Sequence, residues 1–325
     1  MSTIKDVAKK AGVGVGTVSR VINYSGAVSS TTRQRVEQII EEMNFVPSQL
    51  ARNFNRSKNF LVGLIVPDIA HPFFGEFIRH AENELYQRGY KALVCNTIQQ
   101  SDREQVFLDM LRYREVDGII TGSHSLDIEA YLAVKAPLAA LDRRLGAEIP
   151  VVHADHVKGG RLAAERLLRS GCKHIAQFTG DSLVTLPAYD RHTAFAEALN
   201  GTGVSLTSIP NQWNRFDFSY HLEQVKQTLD EYREIDGIFG VDLIACAALK
   251  AASQRGIAVP DQLKIVGYDG TCISAFTPKT ITTVVQPIAD LAAAAVSAVI
   301  DRIEKRPIGQ NEITLDVYLR EGETT

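Results

Sequence analysis

AGVGVGTVSRVIN (Ala11–Asn23) sets three glycines, Gly12, Gly14 and Gly16, ahead of a run with helical periodicity. Such a stretch is either a glycine-rich loop that cradles a phosphate or part of a helix that reads DNA. A dinucleotide loop needs a buried strand before its glycines, because the turn must carry the chain from sheet to helix under a pyrophosphate. The preceding TIKDVAKKA is not a strand: Ile4, Val7, Ala8 and Ala11 follow the i, i+3, i+4, i+7 spacing of an amphipathic helix. The glycines read GxGxG rather than GxGxxG, and no GK[ST] follows to make a P-loop. The helical reading stands.

It predicts a first helix capped by Thr3, with Asp6 in its first turn and Gly12 just past its end. A second helix runs from Val15 to about Asn23, burying Val18, Val21 and Ile22 and leaving Thr17, Ser19 and Arg20 outward. A third, capped by Ser29 or Ser30, places Val36, Ile39, Ile40 and Met43 on one face. Three short helices joined by a glycine-containing turn make a helix-turn-helix head whose second helix enters the major groove.

Charge agrees. The first 58 residues carry nine Lys/Arg against four Asp/Glu, a net +5; the rest carries 26 against 34, a net −8. A basic head on an acidic body implies a polyanion partner for the head alone. No run of 18 apolar residues predicts a membrane span, and MSTIKDVAKKAGV lacks the apolar centre of a signal peptide, so a cytoplasmic protein is expected. Four scattered cysteines with no CxxC pair read as reduced thiols. The cluster His153, Asp155, His156 has no further ligand nearby in sequence, and no metal or other cofactor is expected.

From Leu61 onward, short β-rich runs such as LVGLIVPD, KALVCNT, VDGIITGS, HIAQFTG and LKIVGYDG alternate with amphipathic helices. This implies parallel sheets. Two series joined near residues 157 and 287 predict twin doubly wound α/β subdomains, with a ligand cleft at the carboxyl ends of the strands. Phe73, Phe74, Asp142, Arg143, Arg191, Phe218, Asp242, Asp269 and Gln286 fall at such ends or in nearby loops. Aromatic faces with Arg and Asp/Gln suit a hydroxyl-rich ligand. Taken singly, Phe73 and Phe74 read equally as core, and Asp269 as a loop cap.

TIKDVAKKAGVGVGTVSRVIN, VSSTTRQRV and MNFVPSQLARNF together resemble the head and hinge of the lactose-repressor (LacI/GalR) family, without gaps from Thr3 to Phe54 and at motif level through most of the chain. The resemblance implies that Val15, Gly16, Thr17 and Arg20 face base edges, with Ser19 and Asn23 in the same DNA-binding set. Arg20 then binds guanine bidentately, a phosphate contact being the alternative. It also implies a hinge that folds on DNA in the minor groove, with Ala51, Phe54 and Asn55 in the DNA-binding set. Phe54 is either the wedge or a residue packed on the body, and Arg52, Asn55 and Arg56 lie near the backbone. The body resembles periplasmic sugar-binding proteins. It departs from them at Val241, Ala194 and Gly270, where Asn, Gly and Asp are usual.

The expected divisions are a head over 1–46, a hinge over 47–58 and a body over 59–325, the body splitting into about 59–157 plus 287–325 and about 158–286. The expected function is a repressor of carbohydrate-utilisation genes. It would bind a palindromic operator as a homodimer, since no leucine heptad follows LDVYLREGETT, and be released by a small sugar: a pentose, fructose or a sucrose-like sugar. A corepressor or protein effector is the alternative. A nucleotide-dependent α/β enzyme finds no GxSxG, HExxH or strand-linked GxGxxG to support it.

Overall fold

The computed structural model describes residues 3–45, 58–98, 100–123, 125–180, 186–212, 215–307 and 309–325. The chain divides into two compact units, Met1–Phe60 and Leu61–Thr325.

In the first unit, α1 (Ile4–Ala11) opens with a reciprocal cap: the Asp6 amide donates to Thr3 Oγ1 at 3.3 Å and the Thr3 amide donates to Asp6 Oδ2 at 2.8 Å. It ends at Gly12, whose φ of +65° is the left-handed conformation that glycine adopts without a Cβ penalty. α2 (Val15–Ile22) and α3 (Ser30–Glu42) follow, the latter capped by Ser29, which accepts from the Thr32 amide at 3.3 Å. Val7, Ala8, Ala11, Val18, Val21, Val36 and Ile39 close the core, one apolar stripe from each helix.

In the second unit, the first subdomain contains β1 (Leu61–Val66), β2 (Lys91–Asn96), β3 (Gly118–Thr121), β4 (Leu138–Leu141) and β5 (Val151–Ala154). α4 (Pro72–Gln87), α5 (Ser101–Arg112) and α6 (Ile128–Val134) connect its strands. The second subdomain contains α7 (His156–Arg169), β6 (His174–Thr179), α8 (Asp190–Leu199), β7 (Ser205–Pro210), α9 (Phe218–Glu231), β8 (Gly237–Phe239), α10 (Asp242–Arg255), β9 (Lys264–Asp269) and β10 (Thr282–Val285). The chain then returns through α11 (Ile288–Ile303) and β11 (Glu312–Leu315) to the first sheet, and β12 (Tyr318–Arg320) joins the second. Among the described residues the sheets have six strands each, in the orders β11-β5-β4-β3-β1-β2 and β12-β10-β9-β8-β6-β7. Every pairing is parallel except β10 with β12. Central runs such as LVGLIV and KIVGYD are buried on both faces, as parallel strands covered by helices must be.

One expected boundary is corrected. The stretch 287–325 does not all belong to the first subdomain, because the chain crosses a third time between Leu315, opposite Ala154, and Tyr318, opposite Val285. The final residues are tied into the second sheet: the Ile265 amide donates to the Thr324 carbonyl at 2.8 Å, and Thr324 Oγ1 donates to the Ile265 carbonyl at 2.7 Å. The same crossing adds one antiparallel edge pair, β10 with β12, to an otherwise parallel sheet.

Candidate nucleic-acid interface and ligand pocket

On α2, Val15 is 41% exposed, Gly16 and Arg20 are exposed, and Thr17, Ser19 and Asn23 are half-buried. Asn23 Nδ2 donates to Ser19 Oγ at 3.2 Å, so those two side chains hold each other. Gly14 caps the helix without a side-chain bond, and a Cβ built on Gly16 meets nothing within 4 Å. Open space at this first-turn glycine makes Gly16→Ala favourable, by up to about 1 kcal/mol. Hydrogen exchange of the α2 amides should slow by up to roughly fivefold in this variant; unchanged exchange would mean that glycine does not limit this helix. The proposed hinge contacts Ala51, Phe54 and Asn55 lie outside the described residues.

In the body, a cavity of about 190 Å³ lies between the subdomains. Phe73, Phe74, Asp142, Arg191, Asp269 and Gln286 line it. The Phe73 and Phe74 rings meet edge-on at 5.3 Å, so Phe73, 5% exposed, serves core and wall together. The Phe74 ring stands 6.2 Å from that of Phe216 in the opposite subdomain, and the His71 ring 4.8 Å from it.

The polar floor is sharply organised. Arg191 lays its guanidinium over the Tyr268 ring, 4.6 Å from the centroid, and its Nε donates to His192 Nε2 at 3.3 Å. Because arginine only donates, His192 Nε2 accepts and the ring's proton sits on Nδ1. Burial, then the charge of Arg191, holds the His192 pKa well below the ordinary value. Burial likewise pushes His71 down to about 3, helped by His221 and Arg191, and lowers His221. All three rings are therefore neutral at pH 7. Asp269 accepts from Gln286 Nε2 at 2.9 Å, yet burial raises its pKa to about 8 against the opposing pull of Arg191. Asp142 goes the other way: burial raises it, but the charge and hydrogen bond of His156, whose Nε2 is 2.8 Å from Asp142 Oδ1, bring the net shift below the usual range. The other ring nitrogen of His156 lies 2.9 Å from Tyr268 Oη, so Asp142 and Tyr268 clamp it from two subdomains.

Three expected pocket residues point elsewhere. Arg143 donates to Tyr131 Oη at 3.2 Å and to the Leu126 carbonyl at 2.6 Å, turned into the first subdomain while its neighbour Asp142 faces the cavity. Phe218 packs on the second subdomain's core under Lys250, and Phe216, two residues earlier, lines the cavity. Asp242 accepts from the Thr271 amide and hydroxyl, both at 2.7 Å, and from Thr283 Oγ1 at 2.6 Å. It staples strand ends behind Val241, which lines the cavity, and burial raises its pKa to about 6. His192, Asn211, Arg215, Phe216 and His221 complete the wall without having been singled out by sequence. His153 is engaged by Glu312 at 2.9 Å and His156 by Asp142 and Tyr268; among the described residues no group of three His/Cys/Asp/Glu is placed to hold a metal ion.

The sequence matches the profile of bacterial regulatory proteins, lacI family, over residues 3–48, and a periplasmic binding protein-like domain over 164–325. It is 37% identical to the ribose operon repressor of Halalkalibacterium halodurans over all of this chain and 97% of that one. The chain belongs to the LacI family. It is 36% identical to the sucrose operon repressor of Streptococcus mutans, over all of this chain and 99% of that protein. A solved periplasmic binding protein/LacI transcriptional regulator from Alkaliphilus metalliredigens, complexed with D-xylulofuranose, superposes with a TM-score of 0.74 at 27% identity, over 82% of this chain and 98% of that one. As a LacI-family member the protein is a DNA-binding transcription regulator rather than an enzyme, and no described helix is long and apolar enough to cross a membrane.

Proposed function

We propose that this regulator is a cytoplasmic homodimeric repressor of carbohydrate-utilisation genes, released from a palindromic operator by a single-ring neutral sugar bound between the subdomains. Val15, Gly16, Thr17, Ser19, Arg20 and Asn23 form its operator-reading surface, and residues 47–58 link head to body. The observation that carries the ligand class is a set of buried polar atoms without partners around one cavity, among them His71 Nδ1, His192 Nδ1, Asn211 Oδ1 and Gln286 Oε1. Buried donors and acceptors normally find partners. Here they stand beside aromatic faces, the arrangement that suits alternating hydroxyls and C–H groups.

Charge supports a neutral ligand. Asp269 holds its proton to about pH 8, leaving the Arg191 cation balanced by Asp142. Size supports one ring: a cavity of about 150 Å³ takes a benzene, and 190 Å³ is only somewhat larger. The sugar-repressor names of the relatives point the same way.

The test is an anisotropy titration of full-length protein onto DNA upstream of its own gene, with D-ribose, D-xylulose, D-fructose or sucrose present. One of the monosaccharides should weaken operator binding about 5–150-fold, the range of a coupling of 1–3 kcal/mol. Tightening by a sugar would make it a corepressor, and a response to sucrose alone would overturn the single-ring assignment. Indifference to every sugar would remove the carbohydrate reading.

A further inference from the structure

Tyr24 follows the C-cap of α2 with a φ of +48°. Glycine or asparagine ordinarily takes such a position, because a bulky side chain there is strained. Tyr24 is also 80% exposed, outside the aliphatic core of the head. Neither backbone preference nor burial accounts for it.

Its ring is met by Arg33 of α3, whose guanidinium carbon lies 5.3 Å from the centroid. Arg33 Nη1 also donates to the Val21 carbonyl in the last turn of α2, at 3.4 Å. Arg33 is thus fixed against both the recognition helix and the ring, and among the described residues no carboxylate pairs with it. Residues 7–36 hold five Lys/Arg and no Asp or Glu. The loop carrying Tyr24 also closes on the base-reading helix: a Cβ on Gly26 would stand 3.2 Å from Arg20 Cδ.

We propose that Tyr24 and Arg33 form a clamp on one backbone phosphate of each operator half-site. The Tyr24 hydroxyl and the free guanidinium N–H groups of Arg33 donate to its oxygens. A phenol and a guanidinium side by side, with no acidic residue nearby in sequence, are the donor set that a phosphate takes. The contact fixes the register of α2, and with it what Arg20 and Val15 can reach. The inference rests on α2 being the DNA-reading helix, and its test needs no effector.

Full-length wild type, Tyr24→Phe and Arg33→Gln are titrated onto a duplex selected from genomic DNA by the wild-type protein, and onto a random-sequence duplex of equal length. The titrations run between about 50 and 200 mM salt. Tyr24→Phe keeps the ring under Arg33 and removes only the donor, so it should weaken binding to both duplexes roughly tenfold without changing the salt slope. Arg33→Gln should lower the slope of log affinity against log salt by about two, one phosphate per half-site. Wild-type affinity of Tyr24→Phe on both duplexes would overturn the clamp. A loss confined to the selected duplex would instead make Tyr24 a base reader. Because Tyr24 is exposed, its variant decides the matter even if Arg33→Gln loosens the head.

Discussion

Gly160→Ala is expected to abolish release by the effector while leaving operator binding within a few-fold of wild type. Gly160 lies in α7 where that helix crosses the start of α8, and a Cβ there would stand 2.1 Å from the Arg191 carbonyl oxygen and 2.9 Å from its carbonyl carbon. These are backbone atoms, so no side-chain rotation relieves the clash, and the first turn of α8 must move by about an ångström or more. Arg191 is the residue that turn delivers to the pocket, stacked over Tyr268 and bonded to His192. A displacement of that size can cost a precisely positioned group about a hundredfold. Overpacking costs a further 1–3 kcal/mol of stability. The check compares two titrations with a urea melt, using whichever sugar releases the wild type. The effector midpoint should rise a hundredfold or more, with a folded protein and a conserved operator Kd. Arg191→Gln should reproduce the lost response without the stability loss. An unchanged effector midpoint in Gly160→Ala would show that the α7–α8 contact does not hold Arg191 in place.

That residue also marks where the sequence stops being readable. The helix-turn-helix was legible because its signals are local: Thr3 and Asp6 cap α1, Gly12 ends it, and Val18 and Val21 share one face. The central strands were legible because parallel strands buried on both faces read as apolar runs. Ser205–Pro210, an edge strand with alternating partial exposure, shows no such run and escaped notice. So did the pairing of Tyr318–Arg320 with Thr283–Val285, since antiparallel contact across more than 30 residues leaves no local trace. At the pocket, placement at strand ends located Asp142, Asp269 and Gln286, but sequence order cannot say which way a side chain leaves the strand. Asp142 and Arg143 are neighbours that part in opposite directions. His192, Asn211 and His221 are brought to the wall by packing between helices and loops, and nothing in their local sequence distinguishes them. Gly159 and Gly160 sit inside α7, and their local sequence gives no sign of their role. Their meaning is the close approach of Tyr268 and Arg191.

The stability of the ligand-free body should peak near pH 6.5 and fall on both sides, because its pocket buries two kinds of group with opposite linkage. Asp242 and Asp269 have folded pKa values raised from 3.8 to about 6 and about 8, in each case chiefly by burial. The fold holds protons that the unfolded chain has released, so their contribution is complete below pH 3.8 and is lost as pH rises through the folded values. His71, His192 and His221 are lowered from 6.5, His71 to about 3, again chiefly by burial. Their contribution is present above pH 6.5 and is lost as pH falls, since the unfolded chain takes up protons the fold refuses. Each group contributes a slope of about 1.4 kcal/mol per pH unit while its folded and unfolded states differ in protonation. As pH approaches 6.5 from below, the protons refused by His71, His192 and His221 outweigh those kept by the two carboxyls, so stability rises with pH. Between 6.5 and 8 the Asp269 proton remains alone, and stability falls by up to about 2 kcal/mol. The lowered pKa of Asp142 acts only below this range. Urea midpoints from pH 4.5 to 8.5 should trace both limbs. Asp269→Asn should flatten the upper limb and leave the lower one; His71→Gln should reduce the lower limb and leave the upper. A wild-type profile still rising from pH 6.5 to 8 would mean that Asp269 is ionised in the fold, and the neutral-ligand argument built on its proton would fall with it.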